Sequence, residues 1–329
     1  MALSLTTSNY TQFEKDFFIT DAVVDLNTVN AGLMYVATGV KNDQYTIPTL
    51  TSTPQLNPRL ATPTAYGSTV LGNKNVALGK FMVYEEFDPS IFENHWHVDQ
   101  LNDRLLARGL PATFSTYLGA YYTKKTFAPV ETLIHMGSTG YTTTKGSIGT
   151  PGANWNFQYV DGIIRQAITG SALSVASPVA LTSANIISKL EAAKNLMPKA
   201  LMASPNRYAR LKFIMSVEDA QKYEEALATT TYKNQDTTEA GIRKYKGFRI
   251  EVVAGLPENT FYFCEATTDV NSNLHMPVTE TVGMNFNIDK LQANSDLYFY
   301  KGIVKMGVAI AKPSEFVIYT TKVAADFTA

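Results

Sequence analysis

Residues 298–320 read YFYKGIVKMGVAIAKPSEFVIYT. Tyr298, Tyr300, Val304, Met306, Val308 and Ile310 share one parity, while Lys301 and Lys305 take the other. A strand with one buried and one wet face requires that alternation. No proline interrupts residues 297–311, so the pattern predicts one long half-buried strand. Lys312-Pro313 ends it, because proline offers no N–H to a ladder. Phe316 to Tyr319 then predict a last short strand.

Upstream, helices and short strands alternate. In YKGFRIEVVAGLPENTFYFCEAT, residues 245–267, Tyr245-Lys246-Gly247 turns into a strand from Phe248 to Val253. Leu256-Pro257-Glu258-Asn259 is a turn and Thr260 to Glu265 a further strand. In KFIMSVEDAQKYEEAL, residues 212–227, a short buried strand Phe213-Ile214-Met215 leads to Ser216, and Asp219 three positions on resembles a capping box. The helix that follows places Val217, Ala220, Tyr223 and Leu227 inward. In SANIISKLEAAKNLMPKAL, residues 183–201, Ser183 is the expected cap of a helix whose Ile186, Ile187, Leu190, Ala193 and Met197 share a face, ending near Pro198. Residues 229–240 are polar and read as a loop. The fold class is α+β.

The N-terminal half is less periodic. Residues 1–44 scatter Phe17, Phe18 and Ile19, then Val23, Val24 and Leu26, among polar residues. A segment unable to bury its own apolar groups lies across something else, so it reads as an extended arm. Tyr45 to Leu50 and Val76 to Tyr84 are strand-like, the second with Val76, Leu78, Met82 and Tyr84 on one side. Between them, 15 of the 25 residues from Thr51 to Asn75 are Thr, Ser, Pro, Gly or Asn. A connection that long without a core pattern predicts a two-stranded excursion away from the body. From Pro111 to Gly137, Phe114, Leu118, Tyr121 and Tyr122 form a helical stripe that Val130, Leu133 and Ile134 continue. Pro129 inside it predicts a kink or two abutting helices, and Gly137 a stop.

The chain has 329 residues, 45% hydrophobic and 17% charged, with a formal net charge of -1. That balance is globular, and it excludes a strong global attraction to nucleic acid, which needs a basic excess. Residues 189–249 carry a net +5 and residues 251–329 a net -4. Segments of opposite sign either meet across a subunit boundary or are solvated faces. The single cysteine, Cys264, lies in an apolar run, so no internal disulfide forms and the thiol is expected to be buried and inert. No signal peptide pattern opens the chain and no stretch of 18 uncharged apolar residues occurs, so an aqueous cytoplasmic protein is expected.

Catalytic patterns are thin. His95-Trp96-His97 clusters two imidazoles, but zinc needs one or two further convergent ligands, and no HExxH accompanies them. Gly146, Gly149 and Gly152 match neither phosphate-binding glycine motif. Glu85-Glu86 and Asp88 are adjacent carboxylates, better explained as a solvated edge than as an acid–base pair. No cofactor, metal or enzyme activity is expected.

The ordered series from Ser183 to Thr320 resembles the Hong Kong 97-type major capsid proteins of tailed bacteriophages. It reproduces their order of helix, strand with helix, a strand of pattern G-apolar-x-apolar with its turn, and a closing long strand followed by proline and an apolar tail. The resemblance implies an N-terminal arm at 1–44, an extended loop at 45–88, a peripheral domain with a spine helix at 89–170, an axial domain at 171–296, and return strands of the peripheral domain at 297–329. It further implies self-assembly into pentamers and hexamers of an icosahedral DNA-containing head. Portal protein and separate scaffold or decoration proteins would be partners, double-stranded DNA would be met non-specifically, and no membrane would be involved. Such a protein is assembled in the host cytoplasm and resides in the virion capsid.

Candidate intersubunit contacts on that reading are Lys74 and Lys80, in or beside the excursion, and Phe17 and Phe18 in the arm. Some members of the family join a loop lysine to an asparagine of another subunit, and Lys74 or Lys80 would be the lysine here. With the arm at 1–44, a large N-terminal scaffolding segment is not expected. Rival readings are an encapsulin-type shell, a monomeric α+β enzyme or carbohydrate-binding module favoured by the 11% aromatic content, and another phage structural protein forming rings or tubes.

Overall fold

The computed structural model describes residues 26–56, 58–59, 67–88, 112–141, 157–229, 243–279, 285–291 and 297–328, with backbone alone at 112–120, 123, 229 and 285–287. A helical turn, Asn27–Asn30, precedes β1 (Tyr35–Ala37), β2 (Gln44–Thr53), β3 (Ser68–Ala77) and β4 (Gly79–Phe87). The long helix Ala112–Met136 and the helix Ile163–Thr169 follow, then β5 (Leu173–Ser174) and the helix Ile186–Leu196. After two short helical turns come β6 (Leu211–Met215) and the helix Val217–Thr229. The remainder is β7 (Arg243–Tyr245), β8 (Phe248–Val252), β9 (Thr260–Glu265), β10 (Leu274–Pro277), β11 (Asn285–Lys290), β12 (Tyr298–Met306), β13 (Ala309–Ile310) and β14 (Phe316–Thr320).

A six-stranded mixed sheet, ordered β5-β14-β9-β6-β8-β7, organises the body. All six residues of β9 are buried, so both faces of that central strand are covered. Alternation sends its neighbours into two separate cores. Ile214, Tyr262, Cys264, Phe316 and Ile318 point to the side holding Val130, Leu133 and Ile134 of the long helix. Phe213, Met215, Phe261, Phe263, Val317 and Tyr319 point to the other, against Ile186, Leu190 and Ala193 and against Ala220 and Tyr223. Aromatic stacking locks the second core, with Phe213 on Phe263 at 4.2 Å and Phe261 on Tyr319 at 5.0 Å between centroids. The turn into β8 has Lys246 and Gly247 at φ of 46° and 90°, the left-handed pair that a two-residue hairpin needs.

A three-stranded antiparallel sheet, β11-β12-β4, forms a second layer, with β4 laddered on β12 from Gly79 opposite Met306 to Phe87 opposite Tyr298. Tyr122 of the long helix stacks on Tyr300 of this sheet at 4.6 Å. β1, β10 and β13 make a small third sheet, and β2 with β3 form a separate hairpin, paired from Gln44 opposite Ala77 to Thr53 opposite Ser68.

Several local expectations are corrected. The strand expected from Val76 to Tyr84 breaks at Leu78, and beyond it Met82 and Tyr84 face solvent instead of sharing the buried side of Val76. The cause is steric: a Cβ at Gly79 would stand 2.0 Å from the Tyr159 carbonyl oxygen, so the chain crosses tightly there and resets its parity. The long strand likewise stops at Met306, and Gly307 and Val308 separate it from β13. A Cβ at Gly307 would meet the Ala77 carbonyl at 2.9 Å, so both strands interrupt where they pass each other.

The long helix runs as one element across Pro129, not as two abutting helices, and ends where Gly137 was expected to stop it. The first-turn position before Ile186 is held by Asn185, not Ser183; its carboxamide oxygen accepts from the Thr182 amide at 2.9 Å. Ser216 caps the next helix by accepting from the Asp219 amide at 3.1 Å, but the Asp219 carboxylate turns instead to the Thr260 amide, and Val217 is exposed. The closing segment is divided: β12 lies beside β4, whereas β14 enters the six-stranded sheet between β5 and β9.

Candidate functional site

The β2–β3 hairpin leaves the body from a braced base. Ile47 and Val76 are buried against Ala309 and Ala311. The Lys74 ammonium donates to the Ile310 carbonyl, and desolvation pushes it below the usual lysine range. Asp43 stands 2.6 Å from Lys305 and 3.2 Å from Lys80, and these ammonium groups hold its carboxyl below the ordinary aspartate value. Lys74 and Lys80 thus both have partners within their own chain.

Farther out the hairpin has no core. Leu50 and Leu71 are direct cross-strand partners and remain 69% and 72% exposed. Val70, on the opposite face, is also exposed. Polar side chains stitch the ribbon beyond them, as where the Ser52 and Thr69 hydroxyls meet at 2.9 Å. A two-stranded ribbon is marginal alone, and this one carries its paired leucines uncovered within the chain.

The outer side of the β11-β12-β4 sheet offers a second apolar strip. Met82 and Ile303 are cross-strand partners and both are exposed. Beside them Tyr84 stacks on Phe299 at 5.9 Å, and its hydroxyl donates to Glu86 Oε1 at 2.7 Å. The inner side carries Phe81 and Val304 into the core.

The segments of opposite net charge meet inside the chain. Arg207 bonds Glu265 at 2.8 Å and also reaches Glu315, Arg210 lies 3.6 Å from Glu265, and Lys222 bonds Glu258 at 2.6 Å. Among the described residues these pairs join the two segments within one chain, with the Glu258 side chain still 54% exposed.

Among the described residues no group of three or more His, Cys, Asp and Glu could hold a metal. Glu85 and Glu86 are consecutive on β4 and so point to opposite faces. Burial raises the Glu85 carboxyl, while Glu86 accepts from Tyr84. Cys264 is fully buried, and burial raises its thiol well above the usual value. Phe17, Phe18, His95, His97, Gly146, Gly149 and Gly152 lie outside the described residues. No helix among the described residues is long and apolar enough to cross a membrane. Missed in the sequence were Leu50 and Leu71 as a pair; their only signal is two leucines in a polar stretch whose register brings them opposite.

A two-layer body, a long helix between the layers and a projecting hairpin constitute the Hong Kong 97-type capsid fold. Neither a protein-family model nor a curated protein matches the sequence. Solved structures do match. A chain of Gordonia phage Cozz aligns with a TM-score of 0.55 at 15% identity, covering 94% of this chain and 91% of that one. The capsid of the native GTA particle gives 0.57 at 10% identity, covering 94% and 96%. The cyanophage A-1(L) capsid gives 0.54 at 12% identity, covering 96% and 97%.

Proposed function

We propose that this chain is the major capsid protein of a tailed-phage head, assembling with copies of itself as pentamers and hexamers into a closed icosahedral shell around double-stranded DNA. The observation that carries the reading is coverage in both directions: nearly the whole chain matches nearly the whole of chains from capsid structures. A shell subunit also accounts for an excursion whose distal half has apolar residues and no core of its own. Residues 1–44 act as the arm, 45–88 as the extended loop, 89–170 as the spine region and 171–296 as the axial domain, with 297–329 closing the body.

Leu50 and Leu71 of one subunit are covered by a neighbour, and Phe17 and Phe18 add the arm's grip. Lys80 lies at the hairpin base where a neighbour's acidic group can share it with Asp43, and Lys74 joins such a contact only by exchanging its bond to Ile310. Each contact is weak, so misplaced subunits dissociate, and many contacts together hold the closed shell. The net charge of -1 suits a wall that touches DNA without sequence preference. Portal, scaffold and decoration proteins are its further partners, the host cytoplasm its site of assembly, and the virion its destination. Negative-stain microscopy of the purified, expressed chain tests this. Closed shells are expected; monomers or tubes would reject it, and closed shells loaded with a protein cargo would place the chain with encapsulins.

A further inference from the structure

Glu131 and His135 stand one turn apart on the long helix, and both are fully buried. A buried carboxylate is costly unless it is hydrogen bonded. Its partners come from the segment that leads out of the arm. The Thr28 amide donates to Glu131 Oε1 at 3.0 Å, and the Thr28 hydroxyl donates to the same oxygen. That commits the one hydroxyl proton, so the 2.9 Å contact between Thr28 Oγ1 and His135 Nε2 is donated by the imidazole. Hydrogen bonds therefore run one way, from His135 through Thr28 to Glu131, across helix groups 3.8 Å apart.

The surroundings close tightly on the pair that Thr28 bonds. Gly255 closes over the carboxylate, and a Cβ there would stand 2.9 Å from Glu131 Cγ and 2.6 Å from its carbonyl oxygen. The Tyr262 ring lies 5.9 Å from that of His135. Glu131 Oε2, His135 Nδ1 and the Tyr262 hydroxyl have no hydrogen-bond partner among the described residues, so Thr28 supplies every hydrogen bond that reaches the two helix side chains there. On the arm side, the helical turn Asn27–Asn30 is too short to be stable alone. Leu26 and Val29 pack only partly, and full burial resumes at Leu33, whose amide donates to the Thr28 carbonyl at 3.1 Å.

We propose that Thr28 is a latch: the His135–Thr28–Glu131 relay fixes residues 26–33, the root of the N-terminal arm, to the long helix and transmits the arm's hold on a neighbouring copy. The last clause rests on the shell reading; the latch does not. Thr28→Val keeps the shape and removes the hydroxyl, and Thr28→Ser restores it. Hydrogen exchange on the full chain should show residues 26–33 exchanging up to about tenfold faster in Thr28→Val, the size expected for a lost intramolecular hydrogen bond. The strands at 211–215 and 260–265 should be unchanged and Thr28→Ser should match the parent. Unchanged exchange, acceleration spread equally over those strands, or no rescue by serine overturns the latch. Shells of Thr28→Val should form in lower yield; normal shells despite a loosened root overturn the transmission to the neighbour. Failure of the parent chain to form shells would count against the shell reading and leave the exchange result standing.

Discussion

Replacing Leu50 and Leu71 together by serine should leave the folded chain almost intact and prevent shell formation at the parent's working concentration. Burying a leucine fully is worth about 1.5–3 kcal/mol. These two are 69% and 72% exposed, so a neighbour that covers both gains about 2–4 kcal/mol in total. Inside the chain, what is lost is the already buried third of each side chain and one cross-strand pair of about 0.2–1 kcal/mol, together about 1–3 kcal/mol. That lowers Tm by only a few degrees. At the subunit contact the larger loss raises the concentration needed for assembly about 30- to 700-fold, at about 1.4 kcal/mol per decade.

Light scattering across a concentration series reads the second quantity, and thermal unfolding by circular dichroism reads the first. Val70→Ser, on the opposite face of the ribbon, serves as the comparison: a small effect there assigns the contact to the Leu50–Leu71 side. Shells forming at the parent's concentration would refute the assignment of these leucines to an interface. A fall in Tm of more than about 10 °C would refute it differently, since it would mean that the hairpin is part of the body's core.

Gly79→Ala should destabilise the chain by at least about 1–3 kcal/mol in urea unfolding, because its methyl would meet the Tyr159 carbonyl oxygen at 2.0 Å and neither side is a flexible side chain. An unchanged midpoint would contradict the tight crossing. Phe263→Ala should cost about 3–5 kcal/mol through loss of the stack on Phe213 and the cavity left in the second core, measured the same way, and Phe263→Leu far less. Glu191 is held down to about 2 from 4.5 by hydrogen bonds from Lys246 and then Tyr245. A depressed carboxyl stabilises the fold above its unfolded value, and that contribution is lost as pH falls from about 4.5 through about 2. Glu191→Gln should therefore flatten the fall of Tm across that window and bring the two curves together below it; parallel curves at low salt would show the cluster to be inert.

What the sequence discloses, it discloses through local period. Phe213 to Met215, Thr260 to Glu265 and Phe316 to Tyr319 are apolar runs short enough to be buried strands, and all three lie in the central sheet. Period fails where a distant backbone intervenes. Nothing near Gly79 announces that Tyr159 will press against it and reverse the outward side of β4, and nothing near Phe316 shows that β14 will leave the neighbourhood of β12 for β9. Caps fail for a related reason. Ser183 and Asn185 are equally good first-turn residues by type, and the Asn185 side chain turns back to the Thr182 amide and the Ala180 carbonyl instead of capping the helix.

The surfaces offered to other molecules are the hardest to read, because they break a pattern without completing another. Leu50 and Leu71 look like stray leucines until the hairpin register puts them opposite each other. Glu131 and His135 interrupt the apolar stripe of Val130, Leu133 and Ile134 at a spacing that brings both to one side of the helix. That interruption is visible in the sequence as a charge where the core should be. Its meaning depends on Thr28, 103 residues away, which no local pattern can supply. The polar residues that a stripe-based reading sets aside as noise are thus the ones that tie the segment around Thr28 to the long helix.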